Sequence, residues 1–136
     1  MKKEMFSTEI SILRDTFRRL LRRHAKTNII KLIDKTHPAD MALIFRYFND
    51  SEQDTVFAMM RPSEKTVEFL NELDEAITIR IVENETPSRI AEILEEASSN
   101  EQAYLMGLVE ETYAASVIDL FKAEEQEELE EMMAYP

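Results

Sequence analysis

The chain has 136 residues, no cysteine, a single glycine and a formal net charge of −12. Its length suits one domain with a real hydrophobic core. No apolar run approaches the roughly 18 residues that span a bilayer, and the N-terminus lacks the apolar segment of a signal peptide. Because cysteine is absent, disulfide and thiolate chemistry are excluded, and we expect a soluble chain that suits a reducing cytosol.

Charge is divided unevenly along the chain. Residues 1–35 carry 10 Lys/Arg against 4 Asp/Glu, whereas residues 36–136 carry 6 against 24. The acidic part repels nucleic acid and anionic lipid over most of its surface, and it attracts cations and basic partners. We therefore expect no nucleic-acid partner.

The first predicted element is a basic amphipathic helix within residues 1–26. Its apolar stripe consists of Ile10, Leu13, Phe17, Leu20 and Leu21, and the arginines around it are Arg14, Arg18, Arg19, Arg22 and Arg23. A terminal cap that packs its stripe on the first repeat has this pattern, and we favour that interpretation. A membrane-surface helix has the same pattern, as does a helix that makes a charged contact with another domain.

Residues 27–136 restart one pattern about every two dozen residues. The restarts lie 24, 25 and 24 residues apart, at Pro38, Pro62, Pro87 and Glu111. A second set of helix starts follows half a period later with the same spacings, at Ser51, Glu75, Asn100 and Glu124. Proline is tolerated in a first helical turn, and short polar side chains cap helix N-termini. The period predicts pairs of short helices stacked as an α-solenoid.

Residues 78–82 are the one segment that also fits a strand, because they are rich in β-branched side chains. Their place in the repeat and the caps around them favour helix, and glycine-bearing hairpin turns are missing from the sequence. We predict an all-α fold of about ten short helices in helix-pair repeats, with no sheet and no buried cofactor.

Catalytic chemistry finds little support in the sequence. The two histidines, His24 and His37, fit a helix end and a turn, and no nucleophile elbow or glycine-rich phosphate loop is present. Cysteine ligands and the His–Glu–His spacing of zinc sites are also missing. We therefore expect a protein that is not an enzyme. The pairs Met59-Met60 and Met132-Met133 are expected to fill the core rather than to bind peptides.

Hard divalent cations remain a possible ligand class, because Mg²⁺ and Ca²⁺ take oxygen ligands. Suitable carboxylates are frequent, at Glu92, Glu95, Glu96, Glu101 and along the tail from Glu124 to Glu131. A charge run is more often a solvated face, so abundance alone assigns no site.

Four segments taken in order resemble a known family. They are residues 37–40, residues 89–96, the restart Tyr113-Ala114-Ala115 and the ending Met133-Ala134-Tyr135-Pro136. Over roughly residues 27–136 they resemble the cytosolic N-terminal domain of MgtE-type magnesium transporters. In that family the domain is a right-handed superhelix of short α-helices, and a CBS pair, a connecting helix and a transmembrane channel follow it.

The resemblance implies a cytoplasmic regulatory domain of an inner (plasma) membrane protein. It implies a CBS pair after residue 136, a homodimer in the intact protein, and membrane contact only through a transmembrane domain outside this chain. In the family, Mg²⁺ bound between acidic faces of the N-terminal and CBS domains screens their repulsion and favours a closed pore.

The resemblance also points to metal ligands. Glu68 matches a position where family members supply an acid to that interface, and Asn100 and Tyr104 occupy positions where relatives carry Asp. The candidate metal ligands are Glu68, Asn100 and Glu101, in a Mg²⁺ site shared with the CBS domains. Half of a shared site holds Mg²⁺ weakly, because the ion demands near-octahedral ligation.

A protein-binding scaffold is the alternative function. The armadillo-like repeats of the flagellar motor switch protein FliG are similar in pattern, and some relatives carry the N-terminal and CBS domains without a channel. The sequence that follows residue 136 distinguishes these alternatives from a transporter.

Overall fold

The computed structural model describes the backbone of residues 2–134 and the side chains of residues 8–134. Over the described backbone the chain forms ten α-helices and no strand: α1 (Lys2–Arg22), α2 (Lys26–Lys35), α3 (Pro38–Phe45), α4 (Asp50–Ala58), α5 (Glu64–Glu72), α6 (Glu75–Glu83), α7 (Pro87–Leu94), α8 (Ser99–Leu108), α9 (Glu111–Ile118) and α10 (Ala123–Ala134). The predicted all-α fold of about ten helices is confirmed. Residues 135–136, which carry part of the family resemblance, lie outside the described residues.

The helices begin close to their predicted starts, and at α4 and α8 a local cap marks the start. Helices α4, α6, α8 and α10 begin within one residue of the predicted marks. At α4 and α8 the N-cap residues, Asn49 and Ser98, form complete capping boxes with Glu52 and Glu101. Such a box satisfies two backbone N–H groups that the helix itself cannot pair.

Pro62 is the predicted restart at which no helix begins. Pro38 and Pro87 lie in the first turns of α3 and α7, as predicted, but α5 begins at Glu64. The reason is Ser63, which is the N-cap of α5 and accepts a hydrogen bond from the Thr66 N–H at 3.3 Å. The Thr66 hydroxyl also donates to the Arg61 carbonyl and closes the turn that contains the proline.

A polar side chain in the second helix of each pair reaches back to the end of the helix before it. Gln53 and Gln102 donate to carbonyls eight residues earlier, each at 2.8 Å. The Thr78 hydroxyl lies 3.5 Å from the Leu70 carbonyl eight residues earlier, but its nearer acceptor is the Asp74 carbonyl at 3.1 Å. Gln126 donates to the Phe121 and Asp119 carbonyls at 2.7 and 3.4 Å. The glutamine bonds satisfy carbonyls that a helix C-terminus leaves unpaired. Except at α6, the sequence period therefore corresponds to a repeated hydrogen bond.

Residues 1–60 form one compact unit, in which α1 packs on α2 and α3. Ile10 and Phe17 of the apolar stripe are buried, and the Phe17 ring meets Phe48 edge-on with centroids 6.1 Å apart. Arg18 donates to the Tyr47 carbonyl and pairs with Glu52 at 3.3 Å. The first helix is thus an integral part of this unit, while the predicted boundary at residue 26 stays a prediction.

Helix α1 ends in a left-handed residue. His24 has a φ of 56°, a conformation in which glycine is usual. The His24 N–H donates to the Leu21 carbonyl at 3.1 Å, and the Ala25 N–H donates to Leu20 at 3.0 Å. This pair of bonds is a Schellman motif. His24 is exposed and acts as a helix-end residue, as the sequence indicates.

Residues 61–136 form the second compact unit. Within it α5 contacts α7 and α8, α7 packs on α9, and α8 packs on α10. The segment that also fitted a strand is α6, whose Thr78, Ile81 and Val82 are buried at helical spacing. The stacked solenoid and its right-handed superhelix stay predictions. No helix of the described residues is long and apolar enough to cross a bilayer.

Candidate functional site

An open groove of about 500 Å³ lies in the second unit, lined by α5, the turn after α7 and the first turn of α8. Four carboxylates line it, from Glu64, Glu68, Glu96 and Glu101. The other lining residues are Lys65, Val67 and Ser98. We call this feature the acidic groove. It has an excess of three negative formal charges, counted as four carboxylates against one ammonium.

One wall of the acidic groove is a face of α5. Glu64 and Glu68 are four residues apart, so they project from the same side of the helix. Both side chains are exposed, while Val67 between them is buried and anchors the helix to the core. This wall therefore offers two hydrated carboxylates on a fixed backbone.

The other wall is the capped start of α8. Glu101 Oε1 accepts from the Ser98 N–H at 2.8 Å, and the Glu101 N–H donates to Ser98 Oγ at 3.2 Å. Glu101 Oε2 accepts from Asn71 Nδ2 of α5 at 2.8 Å. Both carboxylate oxygens are thus held in place. Glu101 contributes a fixed negative charge and fewer open lone pairs than Glu64 or Glu68.

The structure brings two of the three predicted metal ligands together. Glu68 and Glu101 both line the acidic groove. Asn100 is exposed in the first turn of α8 and is not among the lining residues. Tyr104 lies one turn further along α8 and is 40% exposed; burial, followed by the charge of Glu75, raises its pKa. Ligation by Glu68, Asn100 and Glu101 stays a prediction.

Sequence reasoning did not assign Glu64, Lys65 and Asn71 to the site. The four-residue spacing of Glu64 from Glu68 was a usable signal, because it places both acids on one helix face. Asn71 gives no such signal, since it meets Glu101 across 30 positions of sequence. Its contact depends on the packing of α5 against α8.

The acidic groove is a concentrated negative field rather than a finished metal site. Among the described residues, no group of three or more His, Cys, Asp or Glu is arranged to hold a metal ion. Carboxylate oxygens are the hard ligands that Mg²⁺ prefers, but the ion keeps several waters unless six oxygens are arranged octahedrally. The chemistry of the lining therefore fits a hydrated divalent cation that needs further ligands.

Comparison with protein families identifies the chain. The family described as the MgtE intracellular N domain matches residues 36–136, which include every helix from α3 to α10. No curated protein and no solved structure gives a significant match. The matched family is a regulatory family of transporters and not an enzyme family. The chain therefore belongs to the MgtE intracellular N domain family, the cytosolic domains of a class of magnesium transporters.

Proposed function

We propose that this chain is a Mg²⁺-sensing regulatory domain and that its acidic groove is one half of a cation-screened interface with a CBS pair. One observation supports this most directly: four carboxylates, from α5, the turn after α7 and the first turn of α8, line the same groove with a single lysine. Family membership supports the transporter context.

Electrostatic repulsion and cation binding together make the groove respond to the Mg²⁺ concentration. Residues 36–136 carry 6 basic and 24 acidic side chains, so a second acidic surface brought near them is repelled. A divalent cation between the two surfaces inverts that balance, because it attracts carboxylates on both sides. The closed arrangement, in which the ion has more ligands, is then favoured as Mg²⁺ rises.

The groove residues have different roles in this proposal. Glu64 and Glu68 are exposed and reorient freely, so they approach the ion or its bound water. Glu101 is fixed by Ser98 and Asn71 and sets the local field. Lys65 offsets part of the charge and keeps the isolated groove from holding the ion tightly. Weak Mg²⁺ binding by this chain alone is the consequence.

The test is a charge-removing substitution in a chain that also carries the CBS pair. Glu68→Gln preserves shape, removes a ligand and also weakens the repulsion without metal. Ligand loss dominates, because attraction between a divalent ion and a near carboxylate exceeds a screened repulsion between domains. We expect the Mg²⁺ midpoint for protease protection to rise about three- to tenfold, which corresponds to a loss of about 0.7–1.4 kcal/mol of binding free energy.

Glu72→Gln is the matched control, since Glu72 is an exposed acid of the same helix, one turn away, that does not line the groove. We expect a much smaller shift of its midpoint than in Glu68→Gln, because Glu72 adds to the field on the same face of α5 but is not a ligand in the groove. Equal shifts in both variants would show a diffuse field with no role for the groove. An unchanged midpoint in Glu68→Gln would show Glu68 to be an ordinary solvated residue.

A further inference from the structure

A second groove, of about 470 Å³, lies on the second unit between α9 and α10. Its apolar lining includes Ala115 and Ile118 of α9 and Met133 of α10. Its charged lining is Glu111, Asp119 and Glu130, and no basic residue lines it. We call this feature the terminal groove. Met132 and Met133 are both half-buried, and the expectation that this pair fills the core stays a prediction.

Three helices of this unit surround the terminal groove. Helix α9 packs on α7, and α10 packs on α8. Met106 of α8 lines the groove together with Ala114 of α9 and Ala134 of α10. The groove therefore has apolar side chains from all three helices.

The charge around the terminal groove restricts what fits it. Helix α10 has six glutamates and no lysine or arginine: Glu124, Glu125, Glu127, Glu128, Glu130 and Glu131. The single charged residue of α9, Glu111, and its C-cap Asp119 are also acidic. A ligand that seats apolar side chains here brings its own flanks next to these carboxylates. Positive flanks are attracted, and negative flanks are repelled.

We propose that the terminal groove binds an amphipathic α-helix whose apolar stripe is flanked by lysine or arginine. Helices seat in such grooves through apolar anchors at positions i, i+3, i+4 and i+7. The lining of α9 has the matching spacing, at Glu111, Ala114, Ala115 and Ile118. Met133 adapts to different anchors, because its side chain is unbranched and polarizable.

The probe is a fluorescein-labelled synthetic helix of leucine and lysine, with leucine at i, i+3, i+4 and i+7. Fluorescence anisotropy with the 136-residue chain measures binding, and a peptide with glutamate in place of lysine is the charge control. We expect the lysine peptide to bind and the glutamate peptide not to bind. Equal binding of both peptides, or of neither, would overturn the proposal.

A pair of substitutions separates docking in the groove from diffuse attraction. Ala115→Glu adds an acid inside the terminal groove, and Ala76→Glu adds one at an exposed position of α6 outside it. Diffuse attraction predicts that both variants bind the lysine peptide slightly more tightly. Docking predicts about a tenfold loss for Ala115→Glu alone, because the new carboxylate meets the apolar stripe.

Two further measurements show whether the variant is folded and where the peptide binds. Thermal melting followed by circular dichroism verifies that Ala115→Glu is folded, as the exposure of Ala115 leads us to expect. Amide chemical-shift changes on adding the lysine peptide to the wild type should be confined to α8, α9 and α10. Changes spread evenly over all acidic helices would overturn the proposal. Glu68→Gln should bind the peptide normally, so this test is independent of the cation proposal.

Discussion

Tyr113 joins the start of α9 to the turn that follows α6. Its hydroxyl donates to the Glu85 carbonyl at 2.8 Å, and the Glu110 N–H donates to Glu83 Oε2 at 2.8 Å. Burial, followed by the charges of Glu85 and Glu83, raises the pKa of Tyr113 to about 12. The neutral phenol is therefore the form that the folded chain favours.

Tyr113→Phe tests this link between helices. At pH 7 we expect the free energy of unfolding to fall by about 1 kcal/mol, because the Glu85 carbonyl loses its phenol donor. The folded pKa lies above the ordinary value of 10.0, so the contribution of the phenol is complete below pH 10 and is lost as the pH rises toward 12. Urea unfolding of both proteins should show the gap narrowing between pH 10 and 12. A gap that is constant over this range would contradict the raised pKa of Tyr113.

The acidic groove shows which residue contacts are predictable from sequence. The Ser98–Glu101 capping box is local, and its three-residue spacing is visible in the sequence. Glu68 was predicted as a site residue from the family resemblance. The Asn71–Glu101 bond was not predictable, because it depends on how α5 packs against α8. Asn100 was also predicted as a ligand from that resemblance, and its place in the first turn of α8 did not reveal that it lies outside the lining of the groove.

At the scale of elements, α1 illustrates what periodicity predicts. The spacing of the stripe identified the buried face correctly, since Ile10 and Phe17 are buried and Ile12 is 63% exposed. Periodicity did not predict the bond from Arg18 to the Tyr47 carbonyl, which joins positions 29 residues apart. The sequence favoured a terminal cap over a membrane-surface helix, and this bond shows how one of the arginines is used within the unit.

Phe17→Ala tests whether α1 is an integral part of its unit. Phe17 is fully buried against Phe48, so truncation should lower the free energy of unfolding by about 3–5 kcal/mol. Ile12→Ala on the exposed face of the same helix is the control, with an expected change within about 0.5 kcal/mol. Chemical denaturation measures both. Equal stabilities of the two variants would mean that the stripe does not hold α1 to α2 and α3.

The starts of α4 and α8 were predictable because their capping boxes act over three residues. The predicted marks of α4, α6, α8 and α10 lie within one residue of the observed starts. The glutamine donors of the second helices were not predicted, because the α6 unit has Thr78 where Gln53 and Gln102 stand in their units. The Thr78 hydroxyl is nearer to the Asp74 carbonyl of its own helix than to Leu70, so the repeated bond is interrupted in that unit.

At the scale of the whole chain, the division into a basic and an acidic segment contributes more to the electrostatic field than any single acidic residue does. The match to the MgtE intracellular N domain begins at residue 36, where the basic segment gives way to the acidic one. Basic helix α1 and helix α2 precede the matched range. Acidic residues 36–136 supply the field that the cation proposal requires, and the acidic groove is the place where that field has facing carboxylates.

A Mg²⁺ titration of the 136-residue chain, followed by amide chemical shifts, tests the central claim most directly. The carboxylates of α10 are an internal control, because they are numerous but do not line the acidic groove. We predict saturating shifts at millimolar Mg²⁺ that are largest around Glu64, Glu68, Glu96 and Glu101, since an incomplete ligand set holds this ion weakly. Submicromolar affinity, or shifts as large along α10 as in the groove, would contradict the account.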